Sequence, residues 1–211
     1  MSSIFAQLNA ELDNVVTGVQ RSVVHVLNNR GGAGAGTIWH PDGLIVTNAH
    51  VIRGGAPRVR LPDGTIVEAE VIARDDQRDL AALAVQANGL PTIQPGSARR
   101  LQAGQWVFAI GHPWGVANAV TGGIVVGANR LLPELPQAGG EWVLVDLKLR
   151  PGNSGGPLID TGGRMIGVNT IMTGLASGAA VSVDAAKAFL KQQLGSPVAD
   201  TVLKDTPTEY V

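Results

Sequence analysis

The segment Gly152-Asn153-Ser154-Gly155-Gly156-Pro157 constrains the fold more than any other, because it carries a serine on a glycine platform and no histidine follows it. Glycines let the backbone turn sharply and approach a bound molecule with no Cβ in the way. That suits a nucleophilic hydroxyl with backbone N–H groups aimed at an oxygen that becomes negative. A Gly-rich turn between two strands is the plain alternative, since Gly-Asn and Gly-Gly are common turn pairs. Serine is a poor nucleophile at neutral pH, so the first reading needs a base and a group that orients the base.

Four histidines are available: His25, His40, His50 and His112. Only His50 closes an apolar run with small and polar residues before it, Leu44-Ile45-Val46-Thr47-Asn48-Ala49-His50. His25 lies inside the apolar run Val23 to Leu27 and reads as a strand residue with a satisfied side chain. His40 and His112 precede prolines, which favour extended or turn backbone, and read as loop residues. For the carboxylate, Asp79 opens the apolar run Leu80 to Val85, whereas Asp75 and Asp76 read as solvated turn residues beside Arg74 and Gln77. The nucleophile elbow of α/β-hydrolases runs Ser, acid, His; with no histidine after Ser154, that arrangement is excluded. An Asp, His, Ser order would need Asp13 or Asp42, neither in a convincing buried strand. The order His50, Asp79, Ser154 is that of two-barrel chymotrypsin-like folds.

These three segments, Thr47-Asn48-Ala49-His50-Val51, Arg78-Asp79-Leu80-Ala81 and Gly152 to Pro157, resemble the HtrA (Deg) serine peptidases. The resemblance extends through Asp42 to Val46, Ala109 to Gly115 and Ile166 to Thr170, and covers roughly residues 12 to 194. It implies an all-β fold of two antiparallel six-stranded barrels with the active site between them, an N-terminal helix segment (1–22), a peptidase domain (23–195, barrel boundary about 95–103) and a tail (196–211). It implies His50 as general base, Asp79 as its orienter and Ser154 as nucleophile, with the N–H groups of Gly152 and Ser154 as oxyanion hole. Thr170 is expected to support Asp79, and Ile171 and Met172 to pair with substrate backbone as an added strand. Asn153 stands where zymogen-activated relatives have Asp, so no salt-bridge switch is expected and control should lie in the ordering of residues 147–152.

The approach to the serine departs from the family's small or apolar residues: it reads Asp146-Leu147-Lys148-Leu149-Arg150-Pro151. Lys148 lies where these folds build the base of the S1 pocket. An inward ammonium would favour an acidic P1 residue or narrow the pocket. The preferred alternative is that Lys148 swings to solvent, leaving a small aliphatic pocket bordered by Leu149, Ala179 and Ala180.

At 211 residues the chain has the length of one two-barrel unit, so the PDZ domain that usually follows an HtrA peptidase domain is expected to be absent. A net charge of −1 gives no electrostatic footprint for nucleic acid or anionic membrane. No apolar run reaches the roughly 18 residues of a membrane span. Zero cysteines exclude disulfides, and no ligand spacing suggests a metal; no cofactor is expected. The start lacks a leader pattern, so Met1 as natural start implies a cytoplasmic protein, and a trimmed leader a periplasmic or extracellular one. Residues 2–20 read as an amphipathic helix with Phe5, Leu8, Leu12, Val15, Val16 and Val19 on one face and Ser2 or Ser3 as cap. Phe5 is a candidate homotrimer contact by the resemblance. A second helix is expected over Asp184–Leu194, stopped by Gly195. The end Glu209-Tyr210-Val211 could serve a partner PDZ domain or lie product-like in a neighbouring active site. The expected partner is polypeptide: an ATP-independent serine endopeptidase on unfolded or exposed chains, against a dormant or chaperone-like binding protein on the same fold.

Overall fold

The serine platform sits where two β-barrels meet, in a computed structural model that describes residues 3–28, 33–52, 56–128, 142–170 and 178–195. The first barrel closes in the order β1-β2-β3-β6-β5-β4, from β1 (Val23–Leu27), β2 (Ala33–His40), β3 (Leu44–Thr47), β4 (Arg58–Arg60), β5 (Ile66–Asp75) and β6 (Leu80–Val85). The second closes as β10-β11-β12-β9-β8-β7, from β7 (Trp106–Gly111), β8 (Ala119–Ala128), β9 (Trp142–Asp146), β10 (Pro157–Asp160), β11 (Met165–Thr170) and β12 (Gly178–Ser182). All strand pairs between them are antiparallel. Closure removes the unpaired edges that an open sheet of such short strands would present. The tight curvature is absorbed by register shifts at Ile38/His40, Val71/Ala73, Val125/Gly127 and Leu158/Ile159.

Each barrel has its own filling, and a third cluster joins them. Val24, Val26, Ile38, Ile45, Ala81 and Leu83 belong to the first filling, and Val107, Ala109, Val143, Val145, Leu158 and Ala180 to the second. Between the barrels lie Val23, Ala35, Trp39, Leu80, Ala82, Ile110, Val168 and Val181. The unbroken apolar run of β6 follows: Ala81 and Leu83 face into the barrel while Leu80 and Ala82 face the other barrel, so neither face sees water.

Two helices flank this body. α1 (Ile4–Gln20) is capped by Ser3, whose Oγ accepts from the Ala6 N–H at 3.3 Å. Of its apolar row only the Val15–Val19 end reaches the core, packing over Gly163 of the β10–β11 turn. Phe5 and Leu8 are exposed. α2 (Val183–Leu194) begins one residue earlier than expected, with Ser182 Oγ accepting from Ala185 N–H at 3.1 Å, and ends at Gly195 with φ +76. Its buried Ala186, Phe189 and Leu190 complete the cluster between the barrels. Its Asp184 accepts from Ala98 N–H at 2.7 Å and its Lys187 Nζ donates to Gly96 O at 2.6 Å, pinning the inter-barrel connection. No described helix is long and apolar enough to cross a membrane.

Candidate active site

His50 lies in a 3₁₀ turn, Ala49–Val51, that continues directly from β3. Its ring Nδ1 is 2.8 Å from Asp79 Oδ2 and 2.9 Å from Oδ1, and its backbone N–H donates to Oδ1 at 3.0 Å. A carboxylate can only accept, so Nδ1 carries the proton and Nε2 presents a lone pair. The Thr170 hydroxyl donates to Asp79 Oδ2 at 2.9 Å, reaching across from the second barrel. Asn48 Nδ2 holds the Asp79 carbonyl at 2.9 Å. Asp79 has φ +54, a left-handed conformation that costs a non-glycine residue and persists where its surroundings impose it. The preceding turn does so. Asp75 Oδ1 accepts from the N–H groups of Gln77 and Arg78 at 2.9 Å, its Oδ2 pairs with Arg78 at 2.9 Å, and Arg74 takes Asp76 and the Ile52 carbonyl. Both competitors for the acid role are thereby engaged in shaping the loop.

Ser154 stands on a turn that leaves two donors unused. Asn153 N–H donates to Arg150 O at 2.9 Å around Pro151-Gly152, and Gly152 has φ +104. Proline followed by glycine at positive φ inside an i→i+3 bond is the signature of a type II turn. A Cβ at Gly152 would collide with the His112 carbonyl and lie 2.9 Å from Pro113 Cα, so only glycine fits. Gly155, at φ +85, likewise has the Ala35 carbonyl and Thr47 Oγ1 against it. Along the platform the N–H groups of Asn153, Gly155 and Gly156 go to Arg150 O, Asn169 O and Asn153 O. Among the described residues those of Gly152 and Ser154 have no acceptor. Two unpaired donors two positions apart are what an oxyanion hole requires. The Ser154 carbonyl accepts from Ala35 N–H at 2.8 Å, and Gly34 is squeezed between that carbonyl and the Val51 side chain, which brings Ser154 beside the His50 turn. The described hydrogen bonds do not include one between Ser154 Oγ and the His50 ring, a contact that commonly tightens only with substrate bound.

The side chain at 153 explains its own identity: Asn153 Oδ1 accepts from Arg150 N–H at 2.9 Å, closing the turn reciprocally. Lys148 is exposed and Leu149 half-buried against the filling of the second barrel, so the lysine follows the solvent alternative. Ala179 and Ala180 are fully buried and lie on opposite faces of β12. Ala179 pairs with Thr170 on the side of the Asp79 carboxylate, whereas Ala180 packs inside the barrel over Gly167. Ile171, Met172, the loop around Leu131 to Pro136 and the tail lie outside the described residues. No described group of three or more His, Asp or Glu could hold a metal.

The satisfied side chain expected of His25 is a correction: its Nε2 is buried without a partner, and its ring stacks on that of His112, centroids 4.7 Å apart. His112, expected as an ordinary loop residue, is 6% exposed, and its backbone N–H donates to the Gly152 carbonyl at 2.9 Å. Arg150 stands 5.2 Å over the exposed Trp114 ring, a cation–π contact beside the platform. Sequence gives little sign of either, because the first acts through a main-chain group and the second through residues ordinary on any surface.

The family described as Trypsin-like peptidase domain matches residues 34–168. A protein of Halomonas elongata, "Probable periplasmic serine endoprotease DegP-like", is 42% identical over 142 residues, 67% of this chain and 30% of that protein. "Serine protease HTRA2, mitochondrial" of Bos taurus is 40% identical over 161 residues, 74% of this chain and 35% of its own length. The solved structure titled "HtrA-type protease AlgW with tripeptide" superposes with a TM-score of 0.79 at 29% identity, covering 86% of this chain and 62% of that one. The chain thus spans about a third of the curated relatives' length. With both barrels, the His50–Asp79 pair and the glycine platform in place, the chain belongs to the trypsin-like peptidase domain family, in its HtrA type.

Proposed function

We propose that the protein is a serine endopeptidase that hydrolyses peptide bonds of unfolded or exposed polypeptides without ATP. His50 Nε2 takes the Ser154 proton as Oγ attacks the scissile carbonyl, Asp79 stabilises the imidazolium that forms, and Gly152 and Ser154 N–H groups bind the oxyanion. The imidazolium then gives its proton to the leaving amine, and water repeats the sequence on the acyl-enzyme. The observation that carries this reading is the unused pair of platform donors beside a serine, with a carboxylate-oriented histidine on the facing barrel.

Exposed Lys148 supports a P1 preference for small aliphatic side chains, with Leu149 and Ala179 at the pocket rather than Ala180. Ile171 and Met172 are assigned to the substrate-pairing strand, and the exposed Phe5 of α1 to a homotrimer contact. Action in the periplasm or outside the cell fits the periplasmic designation of the DegP-like relative. Unfolded casein incubated with the protein and with Ser154→Ala, each with and without ATP, tests the reading. Cleavage by the first alone, equal in both conditions and mapped after small aliphatic residues, supports it. Binding of casein without cleavage by either protein would favour the chaperone-like alternative.

A further inference from the structure

The Gly152 carbonyl is held by one backbone donor, the N–H of His112 at 2.9 Å. What fixes that donor is the imidazole of the same residue. His112 Nδ1 accepts from the Asn118 N–H at 3.1 Å, and the Asn118 carbonyl accepts from Gln20 Nε2 of α1 at 2.8 Å. Two further bonds, Gly115 N–H to His112 O and Val116 N–H to Pro113 O, wind residues 112–116 into a tight turn around this ring. The other face of the imidazole stacks on His25 of β1, across the barrel interface. An Nδ1 that accepts must be unprotonated, so the ring works here as the neutral Nε2–H tautomer. Its Nε2 is buried without a hydrogen-bond partner, and the Val24 main chain is the one neighbour that favours a proton on the ring.

We propose that His112 is a positioning residue for the Gly152 oxyanion donor: as a neutral imidazole accepting from Asn118 it latches the platform, and protonation releases the latch. A proton on Nδ1 would set two donors, imidazolium and Asn118 N–H, against each other. The surroundings oppose that proton. His25 faces the ring from β1, Arg60 of β4 acts on both imidazoles, and Arg150 of the platform segment is turned over Trp114. Burial, and after it the neighbouring His25, pushes His112 down to about 4. The inference rests on the peptidase reading for its catalytic consequence, although the latch itself does not.

The test compares His112→Asn, whose Oδ1 can take the place of Nδ1 as a non-titrating acceptor, with His112→Gln, whose amide reaches toward the Nε2 position instead. The rate of Ser154 phosphonylation by a fluorophosphonate is measured for each, together with kcat and KM on a peptide substrate. His112→Asn is expected within about threefold of the wild type. His112→Gln should lose about tenfold or more in kcat with KM little changed, part of the 100-fold or larger effect of losing an oxyanion donor outright. The wild-type to His112→Asn rate ratio, in which pH effects common to both proteins cancel, should be flat above pH 6 and fall between pH 5 and 4. Amide exchange at His112 reads the latch without catalysis: its protection should drop about tenfold in His112→Gln. Equal kcat and equal protection in the two variants, or a rate ratio flat to pH 4, would overturn the proposal. An unreactive wild type with the predicted protection pattern would instead sink the peptidase reading and leave the latch standing.

Discussion

At the scale of single residues the site depends on hydrogen bonds to a charged acceptor and on absent Cβ atoms. Thr170→Val removes the hydroxyl that reaches Asp79 from the other barrel. A hydrogen bond to a charged group is worth about 1.5–3 kcal/mol, so kcat/KM should fall by roughly 10-fold to 100-fold, with Thr170→Ser restoring most of it. An equal loss in both variants would mean that packing, and not the hydroxyl, is what matters. Gly152→Ala drives a methyl into the His112 carbonyl, and should abolish fluorophosphonate labelling while leaving the far-ultraviolet spectrum intact. His112 also makes stability depend on pH. Its folded value of about 4 lies below the ordinary 6.5 of the unfolded chain, so between those values the unfolded state binds a proton that the folded state refuses. Stability is therefore full above pH 6.5 and declines as pH falls toward 4, by about 3 kcal/mol from this residue. Urea midpoints at pH 7 and 4.5 should converge in His112→Asn relative to the wild type; an unchanged difference would assign the acid loss elsewhere.

At the scale of elements, what the sequence made legible were features written in side-chain identity and order. The histidine just after β3 and the aspartate just before β6 pair directly, and the glycine-flanked serine is tied to the same seam through the Ala35–Ser154 main-chain bond. α2 and its stop are equally readable, since Gly195 ends an apolar-periodic run, whereas the Ser182 cap places its start one residue before the expected Asp184. The two faces of β12 were harder, because Gly178-Ala179-Ala180-Val181 is apolar at every position and so gives no alternation to say which alanine faces the cleft. His112 stayed hidden because its main-chain N–H does the holding and because β1 of the first barrel, through His25, packs over its ring. α2 joins elements as well as filling space. Phe189 is fully buried in the cluster that touches both barrels, and Phe189→Ala should cost about 3–5 kcal/mol. Because that cluster is shared, the loss should appear as one cooperative transition at lower urea. Two separated transitions would show that the barrels unfold independently.

At the scale of the molecule, the candidate active site is a product of assembly: His50 and Asp79 belong to the first barrel, Ser154 and Thr170 to the second, and the Ala35–Ser154 and Thr170–Asp79 bonds cross the seam. The first turns of α1 are the part of the described surface least accounted for by this arrangement, with Ile4 76% and Phe5 73% exposed. The homotrimer assigned to this helix predicts that Phe5→Asp shifts the sedimenting species from trimer to monomer. A wild type that sediments as a monomer would contradict the assignment. All of this turns on one step, activation of a serine on this platform by a histidine from the facing barrel. Intact-mass measurement after incubation with a fluorophosphonate tests it most directly. One phosphonyl adduct is expected, mapped to Ser154 and absent from Ser154→Ala and His50→Ala. An adduct-free wild type, or labelling that survives His50→Ala undiminished, would contradict it.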